Sequence, residues 1–448
     1  MDTKLFSEFQ PVSAKEWEEK ILKDLKITSI QELFWHTPEG LDIRPFYNQE
    51  HIQNFTITPT YHHQNWEITQ FIPTENHSAA ELNEHLIKSL NGGATGIALN
   101  FFHPIHYSEV FNNISLPHIY SNIHISFDNF DLLEKYKDIY LSNNEFTQQK
   151  NCFINIDPIF LYTYFGEWHL SQEKDFEILH HLNHIPVNAS LYKESGCNVI
   201  QELAYTLAHL NEYLFYLDTK NQLSKYKDIH LHLSIGYSFF TEIAKFKSLR
   251  ILVHHLLKEY NHTANVHIHA QTTLMNKSYL DIYNNIIRTT TESMSAIFGG
   301  ANSISILPFD YPFNKISDFS LRMARNQLII MREESYLNKT AETTLGSFYI
   351  ENYTQALVEK AYHQFLEIEK QQGLIPLLEN GIIQQDIQNS FEKQLKEYID
   401  NKKILIGINK YPLPNQEKIN QFYYSLQHSS TPNALKYKRL AEYFENQI

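Results

Sequence analysis

The sequence predicts a (β/α)8 barrel with an N-terminal extension and a C-terminal helical extension. Three observations carry this. Eight apolar, β-rich runs recur: Trp66–Phe71, Gly96–Phe101, Ile119–Phe127, Cys152–Ile156, Ile185–Ser190, Ile229–Ile235, Val266–Gln271 and Ser303–Leu307. Helical patterns lie between them, clearest at Ala79–Leu90, Gln201–Leu217, Phe239–Tyr260 and Leu280–Phe298. From Tyr283 to Ser335 the order is helix, strand, loop, helix without polar-out alternation, the grammar of a parallel sheet covered by helices.

Residues 1–60 form the N-terminal extension. Ser13 with Glu16 makes a capping box, and Trp17, Ile21, Leu22 and Leu25 form one apolar helical stripe. Trp35 to Tyr47 reads as extended, punctuated by Pro38-Glu39-Gly40 and Pro45. Such an arm must bury its aromatics, either on its own barrel or on a partner subunit. The barrel spans 61–340, with its third and fourth units least regular, and chemistry in this fold sits at the C-terminal ends of the strands. Gly299-Gly300 ends the seventh helix, and Asp318 is the expected cap of the next, which carries Leu321, Met323, Leu328 and Ile329. Residues 341–448 add helices, beginning with the Leu357, Ala361, Phe365, Ile368 stripe. A short strand is expected at Lys403–Asn409, a loop at Pro412 and Pro414, and a last helix from Ala434 to Phe444.

Bulk properties exclude several classes. The net charge of -14 across 448 residues argues against a broad nucleic-acid face. Two cysteines, Cys152 and Cys197, exclude a disulfide framework and point to a reducing compartment. The N-terminus lacks a signal-type apolar run, and no window approaches the length of a membrane span. A soluble, cytoplasmic protein is expected.

Motifs with chemical meaning are few. His230-x-His232 and His267-x-His269 each place two imidazoles on one face of neighbouring strands, and with Asp310 they make a candidate metal set for a barrel hydrolase. The competing reading is histidines hydrogen-bonded within the barrel lining. The doublets at 62–63, 180–181 and 254–255 read as surface or loop residues. Gly92-Gly93 and Gly299-Gly300 lack the spacing of phosphate loops. Cys197, after Gly196, reads as a half-buried cysteine at a helix start rather than a nucleophile. Composition and spacing stop at a barrel with no evident active site and no metal site.

Several blocks resemble the barrel domain of methylmalonyl-CoA mutase. They are RTTTESMSAIFGGANS, SDFSLRMARNQLIIMREES and GSFYIENYTQALVEKAYHQFLEIE, with VSAKEWEEKILKDL and TPEGLDIRPFY near the start. WEITQFI at the first strand, FFTEIAKFKSLRIL after the sixth and HAQT after the seventh follow the same order. The resemblance covers nearly the whole chain and implies the family's barrel, through which the CoA tail threads.

Departures from that family pattern are informative. Catalytic chains carry Ser-Gly-Tyr-His-Met-Gln-Glu after the fifth strand, its histidine set to bond the thioester carbonyl. Counting back from KESGCNVIQELAYTLA puts Leu191 at that position, and leucine donates no hydrogen bond. At the first strand Gln64 stands where the family has arginine, and Phe71 where it has a tyrosine between substrate and cofactor. Asn302 replaces a glutamine in the family's Gly-Gly-Thr-Gln, shortening an amide expected to face substrate. Ile156-Asp157-Pro158 lies where the family's carboxylate-binding arginine is expected. No Asp-x-His-x-x-Gly motif occurs, so no C-terminal cobalamin-binding flavodoxin-like domain is expected, and 430–448 reads as a truncated linker helix.

The resemblance therefore implies a chain with no catalytic, cofactor-binding or metal-binding residues of its own. It is similar to the non-catalytic small subunit of heterodimeric mutases, whose large catalytic subunit holds adenosylcobalamin and interconverts succinyl-CoA and (R)-methylmalonyl-CoA. The arm from Leu5 to Tyr47 would then clasp that partner. The alternative within the family is the barrel chain of a split acyl-CoA mutase served by a separate cobalamin-binding subunit. Leu191 and Phe71 favour a plugged barrel interior.

Overall fold

Eight strands wrap into a parallel, nearly closed ring in the computed structural model, which describes residues 9–37, 39–51, 65–126, 152–340, 342–414, 422–426 and 431–448. The strands are β1 Glu67–Phe71, β2 Gly96–Phe101, β3 Tyr120–Ile125, β4 Cys152–Asn155, β5 Ile185–Asn188, β6 Asp228–Ile235, β7 Asn265–Thr272 and β8 Ser303–Ser305. Each of the eight overlaps its predicted run. Their spatial order, β4-β3-β2-β1-β8-β7-β6-β5, leaves one unpaired seam, between β4 and β5.

A single carboxylate bridges that seam. Asp157, just beyond β4, accepts the Asn188 backbone N–H at 2.6 Å from the end of β5. Its other oxygen accepts the Phe160 N–H at 2.9 Å, capping α3 (Pro158–Phe165), and is bonded by His209 Nε2 at 3.0 Å and the Tyr213 hydroxyl. His209 and Tyr213 lie on α5 (Val199–Thr219), preceded by the one-turn helix α4 (Ser190–Glu194). Below this, His184 Nε2 bonds Asn155 Oδ1 at 3.0 Å, again across the seam.

The two-residue period of each strand sorts its side chains. On β6, Ile229, Leu231, Leu233 and Ile235 are fully buried in the main apolar cluster, against the helical layer. His230, His232 and Ser234 alternate with them and face the barrel axis. The enclosing helices include α5, α6 (Phe239–Glu259), α7 (Asn284–Gly299), α8 (Asp318–Glu333) and α9 (Phe348–Lys370). Between α5 and α6 sits a wholly buried ion cluster in which Lys245 Nζ lies 3.0 Å from Glu202 and 2.6 Å from Glu242.

Four local expectations are corrected. The seventh helix begins at Asn284, not Leu280, because the residues before it close i→i+3 turns, Asn284 N–H to Asp281 O and Asn285 N–H to Ile282 O, both at 3.2 Å. The cap of α8 is Ser317, whose hydroxyl accepts the Ser320 N–H at 3.1 Å, and Asp318 is the first helical residue. Lys403–Asn409 is a turn, not a strand, with one bridge from Ile406 to Lys410. The expected helix from Ala434 to Phe444 is an extended strap ending in one turn, Glu442–Glu445. Its N–H groups go outward, Leu435 to Thr163 O at 2.7 Å, Lys438 to Glu194 O at 2.8 Å and Leu440 to Met275 O at 2.8 Å. Those bonds to α3, α4 and the loop after β7 replace the intrahelical ladder and lay the strap across the C-terminal mouth of the barrel.

The arm folds as read near its start. Ser13 and Glu16 form the capping box of α1 (Ala14–Leu25), and none of its residues is buried. Residues 35–36 pair antiparallel with 42–43, and Leu41 and Ile43 are buried, so the second half of the arm packs on its own chain. Tyr47 meets Tyr349 of α9 at 5.9 Å between ring centroids. Trp17 contacts only the arm's Phe46 among aromatic partners of the described residues, at 4.7 Å.

Candidate functional site

The C-terminal ends of the strands surround a cavity of about 70 Å³ beneath the strap. Its two sides differ. Asn122 and His124 of β3, Asn188 of β5, Ser190 of α4, and His232 and Ser234 of β6 make a polar wall. Phe71, Ala98, Leu274 and Leu307 make an apolar wall, with Tyr311 and the strap's Tyr437 packed on it. Among the described residues no lysine or arginine lines it; Glu75 and Glu194 do. Burial pushes the Glu194 carboxyl up, while the Leu274 N–H bonded to it at 3.0 Å opposes this.

Below the cavity the barrel axis is filled. His232 Nδ1 lies 2.8 Å from His124 Nε2, and His230 Nε2 lies 3.1 Å from the Tyr120 hydroxyl. His269 bonds the Ser303 and Ser305 hydroxyls at 2.7 and 3.2 Å. Phe153 stacks against His230 and His267 at 4.4 and 4.8 Å and meets His184 edge-on at 5.1 Å. Desolvation holds all five buried rings neutral: His184 and His232 fall to about 3, and His124, His230 and His269 fall well below the ordinary imidazole range.

The metal reading of the His-x-His pairs fails on this geometry. His267 sits at the N-terminal end of β7 and pairs with Asp228 at 3.0 Å, while the other three rings are bonded to Tyr120, His124 and serines. Among the described residues no three His, Cys, Asp or Glu side chains group to hold a metal ion. Cys197 is fully buried, not half-buried, and burial pushes its thiol far up, so no thiolate is available.

The residues singled out by resemblance separate. Phe71 ends β1 and lines the cavity, edge-on to Tyr311 at 5.3 Å. Leu191 is 1% exposed and lies in the main apolar core, so the cavity wall at that turn is Ser190 and the leucine plugs nothing. Asn302 precedes β8, at the opposite end of the barrel from the mouth. Its Oδ1 accepts from Arg250 Nη2 and the Ile268 N–H, both at 2.8 Å, which occupies the amide structurally. Gln64 lies outside the described residues.

The histidines of β6 and β7 lie hydrogen-bonded in the barrel lining, the competing reading of the His-x-His pairs. Sequence reasoning missed Asn122, His124 and Asn188, although part of the signal was present: at 122–125, 229–235 and 266–271 polar and aliphatic residues alternate strictly, so Asn122 and His124 share an inward parity as His230 and His232 do. It missed the strap as well, since Tyr437, Leu440, Ala441 and Phe444 read equally as a helical stripe.

A barrel with its polar wall and cavity at the C-terminal strand ends is of the class that carries ligand sites on that face. Comparison with known proteins narrows the class. The sequence profile described as methylmalonyl-CoA mutase matches residues 107–446. The chain is 30% identical over 444 residues to the methylmalonyl-CoA mutase small subunit of Porphyromonas gingivalis, covering 91% of this chain and 71% of that protein. It is 25% identical over 469 residues to methylmalonyl-CoA mutase of Rhizobium meliloti, covering 91% and 65%. It is 25% identical over 479 residues to the mitochondrial methylmalonyl-CoA mutase of Homo sapiens, covering 93% and 63%. The chain thus spans less than two thirds of those last two. It belongs to the methylmalonyl-CoA mutase family. No helix among the described residues is long and apolar enough to cross a membrane.

Proposed function

We propose that this chain is the non-catalytic small subunit of a heterodimeric, adenosylcobalamin-dependent methylmalonyl-CoA mutase. It supports a large subunit that interconverts succinyl-CoA and (R)-methylmalonyl-CoA. Residues 1–60 serve subunit contact, 61–340 form the barrel, and 341–448 brace it.

The observation that carries this reading is the filled barrel. Ligand pockets for molecules of drug size run to roughly 300–1,000 Å³, and the cavity here is about 70 Å³. A CoA thioester has no path along an axis occupied by Phe153, Tyr120 and neutral histidines. Among the described residues the cavity is lined by no cation for a carboxylate or phosphate. It does not fit a corrin either, being too small and roofed by the strap.

Two further features support a partner. Helix α1 buries none of its residues, and Phe9, Val12, Leu25, Trp35 and Phe46 of the arm are exposed. In the α1 stripe Trp17, Ile21 and Leu22 are half-buried and Leu25 exposed, so apolar surface on the arm is left for a partner to cover. The small-subunit relative extends the same reading.

Co-expression with a mutase large subunit tests it. The two chains should elute as one complex, and the isolated chain, given adenosylcobalamin and methylmalonyl-CoA, should show no turnover. A monodisperse monomer that ignores the large subunit, or turnover by the isolated chain, would sink the proposal.

A further inference from the structure

Two hydrogen-bond relays inside the barrel each begin at a backbone group and end at the cavity. The first starts at Asn188. Its Oδ1 accepts the Ser190 backbone N–H at 3.2 Å and the Ser190 hydroxyl at 2.6 Å, which fixes the orientation of the amide. Asn188 Nδ2 therefore faces His124 Nδ1, at 3.4 Å, and that nitrogen accepts. A neutral ring carries one proton, so His124 is protonated on Nε2 and donates to His232 Nδ1 at 2.8 Å. His232 is in turn protonated on Nε2, a buried donor with no hydrogen-bond partner among the described residues.

The second relay starts at Asn155. Its Nδ2 faces the Phe153 carbonyl at 3.5 Å, and its Oδ1 accepts from His184 Nε2 at 3.0 Å. Asn155 Nδ2 then donates to Asn122 Oδ1 at 2.9 Å. That leaves Asn122 Nδ2 as a donor, also buried and also without a partner among the described residues. Both residues are more than nine-tenths buried and both line the same cavity. A buried N–H left unpaired is costly, so two in one cavity on separate relays mark a place for an acceptor.

From this convergence we infer that the cavity binds a small neutral carbonyl compound, its oxygen on His232 Nε2 and Asn122 Nδ2 and its apolar end on Phe71 and Leu307. Size follows from the volume. At roughly 10–15 Å³ per water, about 70 Å³ takes on the order of five non-hydrogen atoms. Neutrality follows from the lining, because among the described residues an unpaired carboxylate would be buried beside Glu194 with no cation lining the cavity to meet it. The apolar wall distinguishes the site from a cluster of waters, which would leave Phe71, Ala98, Leu274 and Leu307 facing water across half the cavity. Tyr437 of the strap lines the cavity beside this apolar wall. The inference concerns this cavity alone and does not depend on the assembly role proposed above.

The test uses the full chain and two probes of equal size, propionamide and propionate. Histidine-selective nitrogen-15 NMR reads the His232 ring. Propionamide should shift the His232 Nε2 resonance and bind at least about tenfold tighter than propionate. His232→Phe and, separately, Asn122→Leu should each abolish binding, the second without breaking the His124–His232 bond. A soaked crystal should place the carbonyl oxygen between the two donors. Equal or tighter binding of propionate overturns the inference. So does a cavity holding only ordered water with no shift of His232 at saturating propionamide, or binding that survives both substitutions.

Discussion

Acidification should dismantle this barrel from its axis. His124, His184, His230, His232 and His269 are neutral in the fold because burial depresses their pKa, to about 3 where the depression is least extreme. In the unfolded chain each titrates near 6.5. A depressed folded pKa means stability is intact above pH 6.5 and is lost as pH falls from there toward 3, since only the unfolded state takes the proton. The loss is roughly 1 kcal/mol per histidine per pH unit, on the order of 5 kcal/mol per unit for the set. Typical total stability is about 5–15 kcal/mol. Glu292 works in the opposite sense. Burial against Lys277 leaves its carboxyl raised to about 7, so it contributes stability as pH falls from 7 toward 4.5. Comparing the native chain with His230→Phe removes that background. Urea unfolding followed by tryptophan fluorescence between about pH 6.5 and 5 should show a slope shallower by roughly 1 kcal/mol per pH unit in the variant. An unchanged slope, or any of the five rings taking a proton above pH 5 in the folded protein by NMR, would refute the reasoning.

Other outcomes follow from single sites. Lys245→Met strands Glu202 and Glu242 in the core and should cost about 3–5 kcal/mol; adding Glu202→Gln should recover part of it in the double-mutant cycle. Gly166 has φ +82, and a Cβ there would strike Thr431 and the Ala434 backbone. Gly166→Ala should unseat the strap, raising the rate of proteolysis within 431–448 while the barrel's unfolding midpoint moves by far less than the cleavage rate. Leu191→His puts an imidazole into the apolar core; it should cost about 2 kcal/mol or more and yield no mutase turnover in the isolated chain. Ser13→Ala removes a cap from a helix with no buried residue. It should cost about 1 kcal/mol of helix stability, leave the global melting temperature unmoved, and weaken capture by a large subunit in a binding assay.

Much of this protein was legible before any coordinates. The eight strands, the long helices at 199–219 and 239–259, and the capping box at Ser13 follow from period, length and local chemistry, which neighbouring residues in the chain determine among themselves. The strict alternation in Ile-His-Leu-His-Leu likewise settles which side of β6 each residue takes. What the histidines do on that side was decided only by closure. Rings from β3 and β6, more than a hundred residues apart, become partners because the sheet curls back on itself. The same holds for Asp157, whose bonds come from Asn188, His209 and Tyr213 across a seam that no pattern announces. The strap makes the point most plainly. Residues 434–444 have a helical stripe, yet their N–H groups find carbonyls on three other elements, and distant bonds in a closed mouth outweigh a marginal local ladder.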